Sequence, residues 1–186
     1  MINYSNRKMV VALDNGKHFI LSPTNRLYQH CLNYLEAIPI PVDPKGFVNL
    51  DYFFTLPEEI FKYQSLEEST TYIKFVLRDL SNEINEMDLI WWNTGEWKYK
   101  TVYNSRIDKF IVLVVGLCFL GRIDLVEEEE KSLEKDRDEY TDPDNWYTKE
   151  NNVYQYLLEI VQIERKRWLK ILNAKQRHKL QGLLFK

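Results

Sequence analysis

The sequence predicts an α+β fold in which helix dominates: two β-hairpins with helices in the N-terminal half, then an antiparallel helical C-terminal half. Three observations carry this. Short runs of β-forming residues flank turn signals at Asn15-Gly16 and Asn93-Thr94-Gly95. After residue 104, apolar residues recur at helical spacing over long stretches. Gly and Pro number six each in 186 residues, too few for a loop-dominated or repeat-β architecture. One domain over 1–186 is the organisation to expect, the alternative being a mixed part, 1–103, and a helical part, 104–186.

The first hairpin pairs Met9–Leu13 with Lys17–Leu21 across Asn15-Gly16, which supplies the positive φ angles of a tight primed turn. Ser22 as N-cap and Pro23 at the first helical position start a helix. Its apolar face is Leu27, Cys31, Tyr34, Leu35 and Ile38. Pro39, Pro41, Pro44 and Gly46 end it. Residues 47–54 read as a short strand, and 55–64 as a short helical turn. Ser65 with Glu68 has capping-box spacing and opens a helix whose stripe is Tyr72, Phe75, Val76 and Leu80. The second hairpin pairs Asp88–Trp92 with Trp97–Tyr103, stabilised by cross-strand aromatic pairs at Trp91 or Trp92.

The run Phe110–Leu120 is rich in β-branched residues, yet its polar flanks and total length predict a central helix buried all round. The acidic stretch that follows continues helical to about Tyr140. Thr141–Asn145 is a turn. From Asn151 to about Gln181 one long helix carries Val153, Leu157, Ile160, Val161, Trp168, Ile171 and Leu172 at a 3.6-residue period.

Composition sets the class. The chain is 45% hydrophobic and 14% aromatic, with 28% of its residues charged, so it folds rather than staying disordered. Its length lets it bury roughly two-thirds of its unfolded surface without disulfides. Cys31 and Cys118 lie in apolar patterns and read as free buried thiols in a reducing compartment. Residues 1–8 hold no apolar run with a cleavage signal. The eleven residues Phe110–Leu120 fall short of the about twenty that span a bilayer. A cytoplasmic protein with no membrane association is expected.

Charge is segregated. Residues 124–144 hold eleven acidic side chains against three basic ones, and 164–186 hold eight basic against Glu164 alone, although the whole chain is only −3. Two antiparallel helices joined at Thr141–Asn145 bring these blocks side by side. Exposed pairs of this kind contribute about 0–1 kcal/mol each, so they orient helices more than they drive folding.

Catalytic chemistry has little support. His18, His30 and His178 lie far apart, with neither helical ligand spacing nor a Cys-x-x-Cys pair, so no metal or other cofactor is expected. There is no nucleophile elbow and no Gly-rich phosphate loop. Pro143-Asp144 with Glu164-Arg165-Lys166 superficially resembles the acid–acid–lysine arrangement of metal-dependent nucleases. Such sites sit on adjacent strands, whereas Glu164 falls within a helix.

Binding is therefore the first functional expectation. Glu127, Glu128, Glu129, Glu130, Asp136 and Asp138, with Trp146 and Tyr147 just beyond, form a candidate surface for a protein partner with a basic face. An inhibitor or immunity-type protein that blocks such a partner fits this pattern. The alternative is nucleic-acid binding through Arg165, Lys166, Arg167, Lys170, Lys175, Arg177 and Lys179. A sequence pI near 5.7 weighs against it, because a net-acidic chain repels a polyanion at long range.

Overall fold

The computed structural model describes residues 8–25, 27, 28, 30–32, 47–49, 55–95, 98–141, 148 and 151–184, of which 49, 98, 99 and 174–184 are described by backbone alone. The chain divides into two compact units. One comprises Met1–Glu58 with Lys166–Lys186, the other Glu59–Arg165.

The first unit is organised around a small sheet. β1 (Met9–Ala12) pairs antiparallel with β2 (His18–Leu21) in the register Met9 opposite Leu21 to Ala12 opposite His18. β3 (Val48–Asn49) adds to the other side of β1 in parallel, giving the order β2-β1-β3. Met9, Val11 and Leu13 are buried and Val10 and Ala12 less so, the alternation a one-sided sheet requires. The turn is not of the primed type. Among the described residues only glycines have positive φ, and Gly16 alone, at 79°, has it in this loop. Gly16 N–H donates to Leu13 O at 3.0 Å and Leu13 N–H to Lys17 O at 2.8 Å. This is a three-residue loop, a tight turn closed by a left-handed Gly. The extra residue lets the loop tip reach the segment after β3. Asp14 N–H donates to Leu56 O (3.1 Å), Glu58 N–H to Asp14 Oδ1 (3.0 Å) and Asn15 Nδ2 to Glu58 Oε2 (2.6 Å).

Ser22 does not cap a helix. Asn25 N–H donates to Ser22 O at 2.9 Å, so Ser22-Pro23-Thr24-Asn25 is a turn with Pro at its second position, where its fixed φ fits equally well. Ser22 Oγ instead hydrogen-bonds with Thr24 Oγ1 (2.9 Å). Asn25 opens the helical stretch, accepting from Leu27 N–H at Oδ1 (2.9 Å), and residues 28 and 30–32 are helical. Leu27 and Cys31 are fully buried as expected. Tyr34, Leu35, Ile38, the connection at 39–46 and residues 50–54 lie outside the described residues.

A 3-10 helix, Glu58–Phe61, leads into the second unit, which is built from four long helical segments. α1 (Leu66–Thr94) starts at a complete capping box: Glu68 N–H donates to Ser65 Oγ (3.0 Å) and Ser65 N–H to Glu68 Oε2 (3.4 Å). Its buried face is Ser69, Ile73, Leu77, Leu80, Ile84 and Asp88, one stripe at three- and four-residue spacing. The expected stripe is therefore corrected. Leu80 belongs to the core, but Phe75 is 67% exposed and Tyr72 and Val76 are only half-buried.

The second hairpin is overturned as well. α1 runs through Asp88–Trp92 to Thr94, and α2 (Lys98–Phe119) contains Lys98–Tyr103. Gly95, at φ 64°, terminates α1 with its N–H donating to Trp91 O at 2.7 Å. A left-handed Gly closes a helix as readily as a hairpin. The run is helical from Phe110 to Phe119, with Leu120 in the turn that follows, and every residue from 113 to 120 is buried. The chain turns at Leu120–Gly121 into α3 (Ile123–Glu139). α4 (Val153–Leu184) is the long C-terminal helix, its residues up to Arg165 lying in this unit. Thr141 is described, but residues 142–145 of the predicted turn are not.

Side-chain partners give the helix directions. Glu83 meets Arg106 at 3.1 Å and the Asp88 charge acts on Tyr103 across the α1–α2 pair, and Arg137–Gln155 (2.9 Å) and Glu130–Gln162 (3.2 Å) order α3 against α4. Both pairs are antiparallel, so the chain runs up and down through the unit. Ile73, Leu77 and Ile84 of α1, Phe110, Leu113 and Leu117 of α2, Leu133 of α3 and Leu157 and Val161 of α4 are fully buried. Asn152 caps α4 by accepting from Tyr154 N–H (2.8 Å) and ties it to α3 by donating from Nδ2 to Arg137 O (3.2 Å).

Candidate functional site

Two places in the four-helix unit gather groups with binding chemistry: the acidic helix α3 and an aromatic cleft at one end.

α3 carries nine acidic and three basic residues. Helical spacing distributes them over several faces, and the neighbouring helices use some of them. Glu129 and Asp136 point inward, 4% and 8% exposed, where Arg78 of α1 pairs with Asp136 and stands 3.8 Å from Glu129. Burial raises the Glu129 carboxyl above its ordinary range. Arg78 opposes that rise, and the nearby Asp136 charge adds to it. Lys74 of α1 pairs with Glu128. Arg165 of α4 approaches Glu130 at 2.8 Å and Glu127 at 3.4 Å.

Of the acidic residues expected to meet a partner, Glu129 and Asp136 are thus structural, taken out of contact by their position on the inner face. Glu127, Glu128 and Asp138 keep 48%, 56% and 50% of their side chains exposed, against 14% for Glu130. Asp124, which sequence reasoning did not single out, is as open at 58% and is held by both nitrogens of a fork from Arg122, at 2.9 and 2.7 Å. Trp146 and Tyr147 lie outside the described residues.

The cleft has a volume of about 240 Å³. The end of α1 contributes Asp88, Trp91 and Trp92, the start of α2 Lys100, Tyr103 and Asn104, the residues just before α4 Asn151 and Asn152, and its first turn Val153 and Tyr156. Trp91 and Trp92 meet edge to face, centroids 5.0 Å apart at 65°. Trp92 and Tyr156 are 50% and 49% exposed, whereas Asp88 is 7% exposed. Burial pushes the Tyr103 hydroxyl well above its ordinary range, and the Asp88 charge adds to the rise, so the carboxylate and the phenol share one environment. The aromatic density of residues 91–103 was visible in the sequence. Asp88 was not singled out, because the strand reading gave it no partner on α2 or α4.

The basic stretch lies on α4. Arg165 belongs to the second unit and is engaged with α3, while Lys166 and Lys170 are exposed and Arg167 is half-buried. Side chains of Lys175, Arg177 and Lys179 are not described. Glu164 sits on the same helix, as expected, and Asp144 lies outside the described residues. Both cysteines are free and buried, and burial pushes the Cys31 thiol far up, away from nucleophilic use. Among the described residues no cluster of three His, Cys, Asp or Glu has metal-binding geometry, and no helix is long and apolar enough to cross a membrane. The chain matches no protein-family model, no curated protein and no solved structure.

Proposed function

We propose that this protein is a binding module without enzymatic activity of its own, which holds a protein partner with a basic surface through the outer edge of α3. The observation that supports the reading is how much carboxylate stays open to solvent despite internal pairing. Asp124, Glu127, Glu128 and Asp138 each keep about half or more of their side chain exposed, and Glu134 and Glu139 are exposed on the same helix. Arg122, Arg165, Lys74 and Arg137 pair with the first four, and Lys131 and Lys135 lie on the same helix, so much of that charge is offset locally and the edge is set by the exposure of its carboxylates. Exposed carboxylates gathered on one helix accelerate encounter with an oppositely charged surface more than they add to affinity. An inhibitor or immunity-type role in the cytoplasm is the finer form of this proposal.

The test is charge reversal at positions outside the internal pairs: Glu134→Lys with Glu139→Lys, measured against the partner that co-purifies with the protein. The association rate should fall about tenfold at low salt and converge with wild type as salt rises. A rate unchanged at every salt concentration would sink the reading.

The exposed Lys166 and Lys170 support nucleic-acid binding as a second reading. A gel shift with duplex DNA and with single-stranded RNA at low salt decides it, because phosphate contacts are strongest there. No retarded band under those conditions would exclude it.

A further inference from the structure

α4 turns an apolar strip to solvent. Leu157, Leu158, Val161 and Trp168 are its buried side. Helical rotation therefore carries Tyr156, Ile160 and Ile163, at i, i+4 and i+7, away from the core on one face. Ile163 is 65% exposed and Tyr156 49%, with Ile160 half-buried between them. Trp92, also half-exposed, lines the cleft beside Tyr156 and prolongs the strip. Steps of four and then three residues are those of a coiled-coil seam, which fits the seam of another helix. Charge flanks this seam. Glu159 stands just before Ile160 and Lys166 one heptad later, so the two share a flank, one acidic and one basic, and both are exposed. Gln155 Nε2 donates to Glu159 Oε1 at 3.0 Å, a neutral partner that leaves the carboxylate charge in place. Lys166 makes no ion pair among the described residues.

We propose that this face of α4 docks antiparallel on the same face of a second copy of the chain, forming a weak two-fold dimer. A two-fold axis requires a surface that is complementary to itself. Antiparallel helices bring equivalent flanks together. With Ile160 of one helix against Ile163 of the other, Glu159 of each copy stands opposite Lys166 of the other copy. A parallel pairing would instead bring Glu159 towards Glu164 of the second copy, carboxylate against carboxylate. A partner of a single charge sign would meet one flanking charge and repel the other, so the pattern selects a second copy as the occupant. The contact spans about two turns of helix, short of the about 1,200 Å² at which standard interfaces begin, so the dimer is a transient one. It lies on a different helix from the α3 edge and does not depend on the reading of that edge.

The test follows the full-length protein alone by sedimentation velocity, from about 10 µM to about 1 mM at low salt. The wild type should pass from monomer to dimer with a dissociation constant on the order of 100 µM. Ile163→Glu, at an exposed position, should stay monomeric throughout with circular dichroism unchanged. Glu159→Lys and Lys166→Glu should each weaken the dimer about tenfold, because each sets like charges opposite one another. The two substitutions together exchange the charges and should restore the dimer to within about threefold of wild type. This rescue carries the test should Ile163→Glu fail to fold. A wild type that is monomeric at every concentration, a dimer that a folded Ile163→Glu leaves intact, or a double variant as weak as the single ones would each overturn the proposal. None of these measurements needs another protein, so failure here leaves the α3 reading standing. A partner indifferent to charge reversal on α3 would retire that reading and leave the dimer.

Discussion

Arg78 is the residue on which the charge arrangement turns. It sits on α1 and reaches two inward carboxylates, Asp136 and Glu129, that are almost wholly buried. A buried carboxylate without its counter-charge is costly, so Arg78→Ala should destabilise the protein by about 2 kcal/mol, less than a fully desolvated pair because Arg78 is itself 36% exposed. Urea unfolding at pH 7 measures it. Glu129 gives a pH signature of defined sign. Burial, only partly opposed by Arg78, raises its folded value above its unfolded one. The native state then retains a proton that the unfolded chain has already lost. This stabilisation is complete below the ordinary carboxylate pKa and is lost as pH rises through the folded value. Glu129→Gln removes the titration. The stability of Glu129→Gln relative to wild type should therefore climb with pH above the ordinary glutamate range. A flat or falling difference would show that the carboxyl is not held up by burial. At the other end of α1, Ser65→Ala should cost about 1 kcal/mol, since it removes one half of a reciprocal pair of caps.

The elements show where sequence patterns decided the structure and where they left two answers. The capping box at Ser65 and the first hairpin were legible because turn and cap residues stood at the right spacing, and the helix through Phe110–Phe119 because its polar flanks and length outweighed its β-branched residues. The region 88–103 was not. Trp, Tyr and Ile favour strands on propensity, and Asn93-Thr94-Gly95 suits a hairpin loop, yet the same Gly95 at φ 64° closes a helix. What decides is burial over a longer range: Ile73, Leu77, Leu80 and Ile84 form a stripe that outruns the shorter Tyr72, Phe75 and Val76 face and reaches Asp88 when the helix is carried past residue 87. Ending it earlier left Tyr72, Phe75 and Val76 as an equally regular face. The same cut hid the cleft, because Asp88, Trp91 and Trp92 share a face only on a helix. Ile84→Ala should thus cost about 3 kcal/mol as a core truncation, and Phe75→Ala no more than about 0.5 kcal/mol as a surface change. Equal losses in thermal unfolding would restore the discarded stripe. Gly95→Ala tests the helix end: no atom lies within 4 Å of the added Cβ, so its cost, about 1 kcal/mol, is that of the left-handed backbone alone.

At the scale of the molecule, the segregated charges are partly architecture and partly surface. The four-helix unit uses α3 as a charged rail: α1 engages it through Lys74 and Arg78, and α4 through Arg165 and Gln162. These contacts specify which helix lies beside which and in what register, while the apolar interior supplies most of the free energy of folding. The two roles separate by salt. Several of the pairs are substantially exposed, among them Lys74–Glu128 and Arg106–Glu83, and such pairs are screened over about 10 Å at 0.1 M salt and about 3 Å at 1 M. The buried stripe of Ile73, Leu77 and Ile84 is indifferent to ionic strength. Raising sodium chloride from 0.05 to 1 M should therefore lower the unfolding free energy of the wild type by only about 1 kcal/mol, the sum of a few weak pairs, measured by urea unfolding at fixed pH. The same salt change should abolish most of the steering that the exposed edge of α3 gives to encounter with a basic partner. A protein that instead lost most of its stability in 1 M salt would have its helices held by charge, and the exposed carboxylates of α3 would then belong to the fold rather than to a partner.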